Sequence, residues 1–148
     1  MKKILSRVLA MALALLLFTA PSTVSAASTT STPVLTYTDG ILKMYKFQPD
    51  AYYLTPGNTL QLRDITASDG RWYVPAGRAP VFVAWLADFG DLRVRVADRN
   101  SQLVYDSGSV YSNSHVVSLP AKSIDEYYIV WITAQSGLEI EGYDGFHN

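Results

Sequence analysis

The sequence contains no cysteine, and that absence closes several routes at once. A disulfide framework is excluded, as is a thiol nucleophile. Lipid attachment at a leader cleavage site, which needs a cysteine there, is excluded too. Histidine is almost as scarce: His115 and His147 are the whole supply. That is too few for a zinc centre built from three or four His and Cys ligands. Basic residues are thin, with 12 Lys and Arg against 13 Asp and Glu. The clustered cations that a nucleic-acid backbone demands are therefore missing, and no nucleic-acid partner is expected. No long apolar run occurs after the first thirty residues, so no membrane span is expected beyond them.

What is present starts with MKKILSRVLAMALALLLFTAPSTVSAA. Lys2, Lys3 and Arg7 form a positive start, and Val8 to Phe18 is an uncharged apolar run too short to cross a bilayer as a helix. Val24-Ser25-Ala26 places small residues where a signal peptidase reads them. Residues 1–26 are expected to be a signal peptide, making the protein secreted and extracellular. Its removal leaves 122 of 148 residues, enough for one domain with a core, and shifts the net charge from −1 to −4. An exported domain without disulfides relies on packing and hydrogen bonds, a pattern more familiar in bacteria. Residues 27–33, ASTTSTP, read as a disordered spacer, and residues 34–148 as the folded domain.

Turn signals then recur at short intervals, among them Asp39-Gly40, Pro56-Gly57-Asn58, Ser68-Asp69-Gly70, Gly90-Asp91 and Ser136-Gly137. The runs between them are rich in Val, Ile, Tyr, Trp and Leu and about five to eight residues long, which leaves no room for a long helix. Strands are expected near 41–47, 59–65, 71–75, 80–87, 92–98, 102–106, 114–119, 126–133 and 138–143. The fold class is all-β, a single antiparallel β-sandwich of jelly-roll or Greek-key type with eight to nine short strands.

Asp91-Leu-Arg-Val-Arg-Val-Ala shows the alternation most clearly, with Leu92, Val94 and Val96 on one face and Arg93 and Arg95 on the other. The two arginines read as a solvated face pairing with acids on neighbouring strands, Glu139 or Glu141 for example. The turn at Asp98 to Ser101 should fold the chain back through Leu103 and Tyr105 as a hairpin. Leu138 and Ile140 should face in, and Glu139 and Glu141 out. Residues 81–86 and 127–132 are apolar at every position. Their outer faces need cover from a loop, the N-terminal segment, a partner subunit or a ligand.

No catalytic constellation is visible. His115 lies among Ser112, Ser114 and Asn113, but neighbours along a strand do not face each other, so no Ser–His pair results. His147, next to the end of the chain, is expected to be poorly ordered. Asp88 and Asp91 offer oxygen ligands to calcium, yet the twelve-residue loop pattern is absent. No cofactor and no resident metal are expected. Among the acids, no spacing marks two as opposed across a cleft, so a small hydrolase is the least supported reading.

Aromatic residues are the most suggestive feature. Trp72, Tyr73, Tyr52, Tyr53 and Tyr111 lie in or beside expected turns and strand ends, where a ring can stack on the apolar face of a sugar. Of the neighbours Trp72 and Tyr73, only one can face outward from a strand. A non-enzymatic binding module for extracellular glycan or cell-envelope polymer is the leading expectation. A secreted protein-interaction or self-assembling factor using the apolar strand faces is the alternative.

Leu54-Thr55-Pro56-Gly57-Asn58-Thr59-Leu60-Gln61-Leu62, Val74-Pro75-Ala76-Gly77, the strand from Asp91 to Arg95 and the closing Tyr127-Tyr128-Ile129-Val130 carry a family likeness. Asn58 to Phe146 resembles the small secreted bacterial β-sandwiches typified by pre-peptidase C-terminal domains. The resemblance implies a sandwich fold and a non-catalytic role in binding or secretion.

Overall fold

The computed structural model describes residues 30–148, so the expected signal peptide lies outside the described residues. No helix occurs among them. Ten strands do: β1 Thr32–Thr38, β2 Lys43–Gln48, β3 Tyr52–Leu54, β4 Thr59–Leu62, β5 Trp72–Val74, β6 Pro80–Ala97, β7 Leu103–Asp106, β8 Val110–Ser118, β9 Glu126–Ala134 and β10 Leu138–His147. Every ladder is antiparallel. The strands form one curled sheet in the order β1-β2-β10-β6-β9-β4, with β3 on β10, β5 on β9, and β7 and β8 on β6.

The longest strand organises the rest. The first part of β6 pairs with β10 on one side and β8 on the other, and its second part with β9 and β7. The sequence suggested two strands, 80–87 and 92–98, divided by a turn at Gly90-Asp91. The chain instead runs through as one strand, because the irregularity is a bulge: the β8 register jumps between Trp85 and Gly90. Extra residues on one strand bend it without ending it. Gly90 is needed for closeness, since a Cβ there would collide with Leu138.

Side-chain alternation sets the core as expected. Leu92, Val94 and Val96 are 0 to 2% exposed, and Leu138 and Ile140 are buried with Glu139 and Glu141 exposed. Phe82, Ala84 and Leu86 face in, while Val81, Val83 and Trp85 are half-buried on the opposite face. At the centre lie Tyr45, Trp72, Tyr143, Phe82 and Tyr128, in edge-on and tilted contacts with ring centroids 5.1 to 6.2 Å apart. Such pairs contribute roughly 0.5–1.5 kcal/mol each beyond the area they bury. Buried polar tips find partners: Trp72 Nε1 donates to the Leu62 carbonyl at 2.7 Å and the Tyr143 hydroxyl to that of Arg63 at 2.9 Å.

Several expectations need correction. Thr32 and Pro33, placed in the spacer, open β1. The three-residue β3 was hidden between turn-like Pro49-Asp50 and Pro56-Gly57. Arg93 does not pair with Glu139 or Glu141. The 92–106 hairpin brings it to Asp106, where its Nε donates at 2.8 Å and its Nη2 at 2.5 Å. The turn at Asp98 to Ser101 does form the expected hairpin, in which Leu103 is 56% exposed and Tyr105 packs against the core. His147 is not a loose end but the last residue of β10, opposite Pro80.

Candidate functional site

β5 and β9 meet in antiparallel register with Tyr73 opposite Tyr127. Trp72 and Val74 point into the core, so parity turns Tyr73 outward; Tyr128 in the core does the same for Tyr127. The two exposed rings lie 5.3 Å apart at 47°. Asp125 steadies the Tyr73 ring. One carboxylate oxygen accepts the Tyr73 hydroxyl at 3.1 Å and the other the Ala76 backbone N–H at 2.9 Å. The hydrogen bond to Asp125 pushes the Tyr73 phenol above its ordinary value, so it stays a neutral donor at physiological pH.

Tyr73 also borders a pocket of about 220 Å³ shared with Ile41, Lys43, Asp64, Pro75 and His147. Its polar floor is tied down. Lys43 Nζ donates to Asp64 at 2.5 Å and to the Thr66 hydroxyl at 2.8 Å, and the Tyr45 hydroxyl donates to Asp64 at 2.7 Å. Burial alone would raise the Asp64 carboxyl, but these hydrogen bonds outweigh it and hold it below the usual value. The arrangement is an apolar hollow with one fixed ion pair, bordered by the Tyr73 ring.

The sequence-predicted residues do not gather in one place. Trp72 is 5% exposed and belongs to the core, so it cannot serve as a surface stacking platform. The outward member of that dipeptide is Tyr73. Tyr52 leans on Phe47, with centroids 5.2 Å apart, and is half-buried. Tyr53 is exposed beside Gly137. Tyr111 is 68% exposed and stacks at 28° on Phe89, 5.8 Å away, at the bend of β6. Tyr53 lies at the β9–β10 turn and Tyr111 opposite Asp91, whose carbonyl accepts from Gln135 of that turn. Tyr73 is at the other end of β9, roughly 25 Å away at the rise of a strand.

Tyr127 and Asp125 were missed, although both are exposed. The start of the 126–133 run, Glu126-Tyr127-Tyr128, held the parity signal. The pairing of β5 with β9, more than fifty residues away, did not show in it.

Two further acids are committed locally. Glu126, 3% exposed, accepts from Lys122 Nζ and Arg99 Nε, both at 2.9 Å. The Asp88 carboxylate accepts its neighbour Phe89's N–H at 2.7 Å. Among the described residues, no three His, Asp or Glu side chains converge as metal ligands would. His115 is half-buried, with Nε2 2.9 Å from the Tyr105 hydroxyl. Burial lowers its pKa.

No protein-family model matches the chain, and no curated protein matches it. Among solved structures, CapF with the inhibitor 3-isopropenyl-tropolone aligns over 79% of this chain at a TM-score of 0.33 and 14% identity. The chain spans 30% of that protein's length. Drosophila melanogaster CENP-C bound to CAL1 aligns over 78% of this chain and 81% of its own, at a TM-score of 0.27 and 11% identity. Likenesses this distant carry no argument about fold or function.

Proposed function

We propose that the domain is an exported, non-enzymatic binding module that grips an extracellular glycan or cell-envelope polymer through Tyr73 and Tyr127. The observation that carries the reading is the ring pair itself. Two exposed phenols stand 5.3 Å apart, and one of them, Tyr73, is held by Asp125 and borders a pocket. A pyranose has one apolar face for such a ring and hydroxyls for the carboxylate and hydroxyl beside it. Tyr111 with Phe89 offers a second, separate stacking surface.

Electrophoresis through gels containing a broad panel of polysaccharides tests this. At least one polysaccharide should retard the unaltered chain. Tyr73→Ala and Tyr127→Ala should each weaken that retardation about fivefold to tenfold, the loss of one ring contact. An unretarded chain across the whole panel defeats the proposal.

A protein-interaction or self-assembling factor is the second reading, favoured by the outer face of β6, where the apolar Val81, Val83 and Trp85 are only half-buried. For the architecture, we propose a face-packed sandwich akin to pre-peptidase C-terminal domains. The exchange of partners along β6 supports it, since a strand passing from one layer to the next behaves in this way. Export rests on the composition of residues 1–26. Protein recovered from culture medium should begin at Ala27.

A further inference from the structure

Sheet edges expose unpaired backbone donors and acceptors, and stable proteins protect them with short strands, charge, proline or bulges. Most edges here are protected in that manner. β3, β4, β5 and β7 have three or four residues each. β1 contains Pro33 and a register break between Leu35 and Tyr37. β8 is different. It runs nine residues, Val110-Tyr-Ser-Asn-Ser-His-Val-Val-Ser118, with no Lys, Arg, Asp, Glu, Pro or Gly. Among the described residues it pairs with β6 alone, so its other side is open.

The direction of its backbone groups follows from one hydrogen bond. The Leu119 N–H donates to the Pro80 carbonyl at 3.0 Å, which makes that a hydrogen-bonded pair. Antiparallel ladders alternate, so Val117 and His115 also face β6 with their N–H and C=O groups. Those of Ser114, Val116 and Ser118 then point to the open side. Ser114 is met by the Ser112 hydroxyl, which accepts from its N–H at 3.2 Å and donates to its carbonyl at 2.6 Å. Val116 and Ser118 have no such side-chain cap. The Val116 side chain is also 57% exposed, at the end of an outward row that crosses the sheet through Val83, Asp144 and Met44 to Tyr37.

We infer that β8 is the pairing edge for a second copy of this chain, joined antiparallel about a two-fold axis at Val116. In that register, Val116 faces Val116 and the two exchange both backbone hydrogen bonds, while Ser118 faces Ser114. The exposed valines bury each other, and the outward row continues from one sheet into the next. A second copy fits because β8 carries no Lys, Arg, Asp or Glu, so two identical strands meet there without like charges opposite each other. A two-fold pairing also closes on itself, leaving no edge for a third copy. This inference is independent of the glycan reading.

Sedimentation velocity over a concentration series tests it, together with amide hydrogen exchange. The unaltered chain should form a concentration-dependent dimer in which the Val116 and Ser118 amides exchange slowly. Val116→Lys should weaken the dimer at least about tenfold, because two ammonium groups would stand directly opposite each other. Val116→Pro should do the same by removing an outward N–H that β6 does not use. Tyr73→Ala should leave the dimer intact. A strict monomer up to about 1 mM with freely exchanging β8 amides overturns the inference, and so does a dimer that survives both Val116 variants. Protected amides in a strict monomer would also overturn it, by giving the edge to some other strand.

Discussion

Asp144 is out of keeping with its surroundings. It stands between Met44 and Val83 in the outward row, and its Oδ1 is buried with no protein hydrogen-bond partner among the described residues. Burial pushes its carboxyl up to about 6, from an ordinary 3.8. A raised carboxyl pKa means that the folded chain holds the proton more tightly than the unfolded one. Ionisation therefore works against folding. The cost is absent below about pH 4, grows as pH rises towards 6, and is complete above it. Asp144→Asn should stabilise the protein by about 1–2 kcal/mol at pH 7.5, after discounting for partial exposure. It should give no gain at pH 3.5. Thermal melts of both proteins at the two pH values check this, and an equal gain at both would point away from ionisation. Residues of this kind were invisible beforehand. Nothing in Gly-Tyr-Asp-Gly says that its Asp lies among apolar side chains from two other strands.

At the scale of elements, Glu126 fastens the start of β9 to the turn between β6 and β7. Its carboxylate accepts from Lys122 and from both the side chain and the backbone N–H of Arg99. Burial would raise its pKa, but Lys122 and Arg99 outweigh that and bring it to about 2. A depressed carboxyl stabilises the fold above its ordinary value near 4.5 and loses that contribution as pH falls towards 2. Glu126→Gln should cost about 2 kcal/mol at pH 7. That is below the cost of breaking a fully buried pair, because the Lys122 and Arg99 side chains keep 35% and 37% of their surface in water. The difference from the unaltered protein should shrink below pH 3, which urea titrations at pH 7 and pH 2.5 would measure.

The same scale shows what was legible. Local alternation fixed Leu92 to Val96 and Leu138 to Glu141 correctly, because period-two burial is written residue by residue. Parity said that Trp72 and Tyr73 part ways, but not which one turns outward. That choice depends on the Leu62 carbonyl waiting for the indole N–H, and on Gly145, whose missing side chain makes room for the Trp72 ring. The Tyr73–Tyr127 pair and the Arg93–Asp106 pair both depend on register between strands. For Asp106 a hairpin brought the partners close in sequence; for Tyr127 nothing did. Gly90 misled because glycine marks turns and close approaches alike.

For the whole molecule, the decisive feature is that β6 is bordered by β7, β8, β9 and β10. Phe82 from its first part and Val94 from its second lie in one buried cluster with Tyr143 of β10 and Ile132 of β9. The protein should therefore lose all its structure in one step, with near-ultraviolet and far-ultraviolet circular dichroism melting together. Two separated transitions would contradict that.

Ala87, Asp88 and Phe89, at the bend of β6, are all exposed. A protease that reached this crook would cut the one ribbon shared by every neighbouring ladder. Unlike a nick in a surface loop, a single scission there would leave neither fragment a complete scaffold.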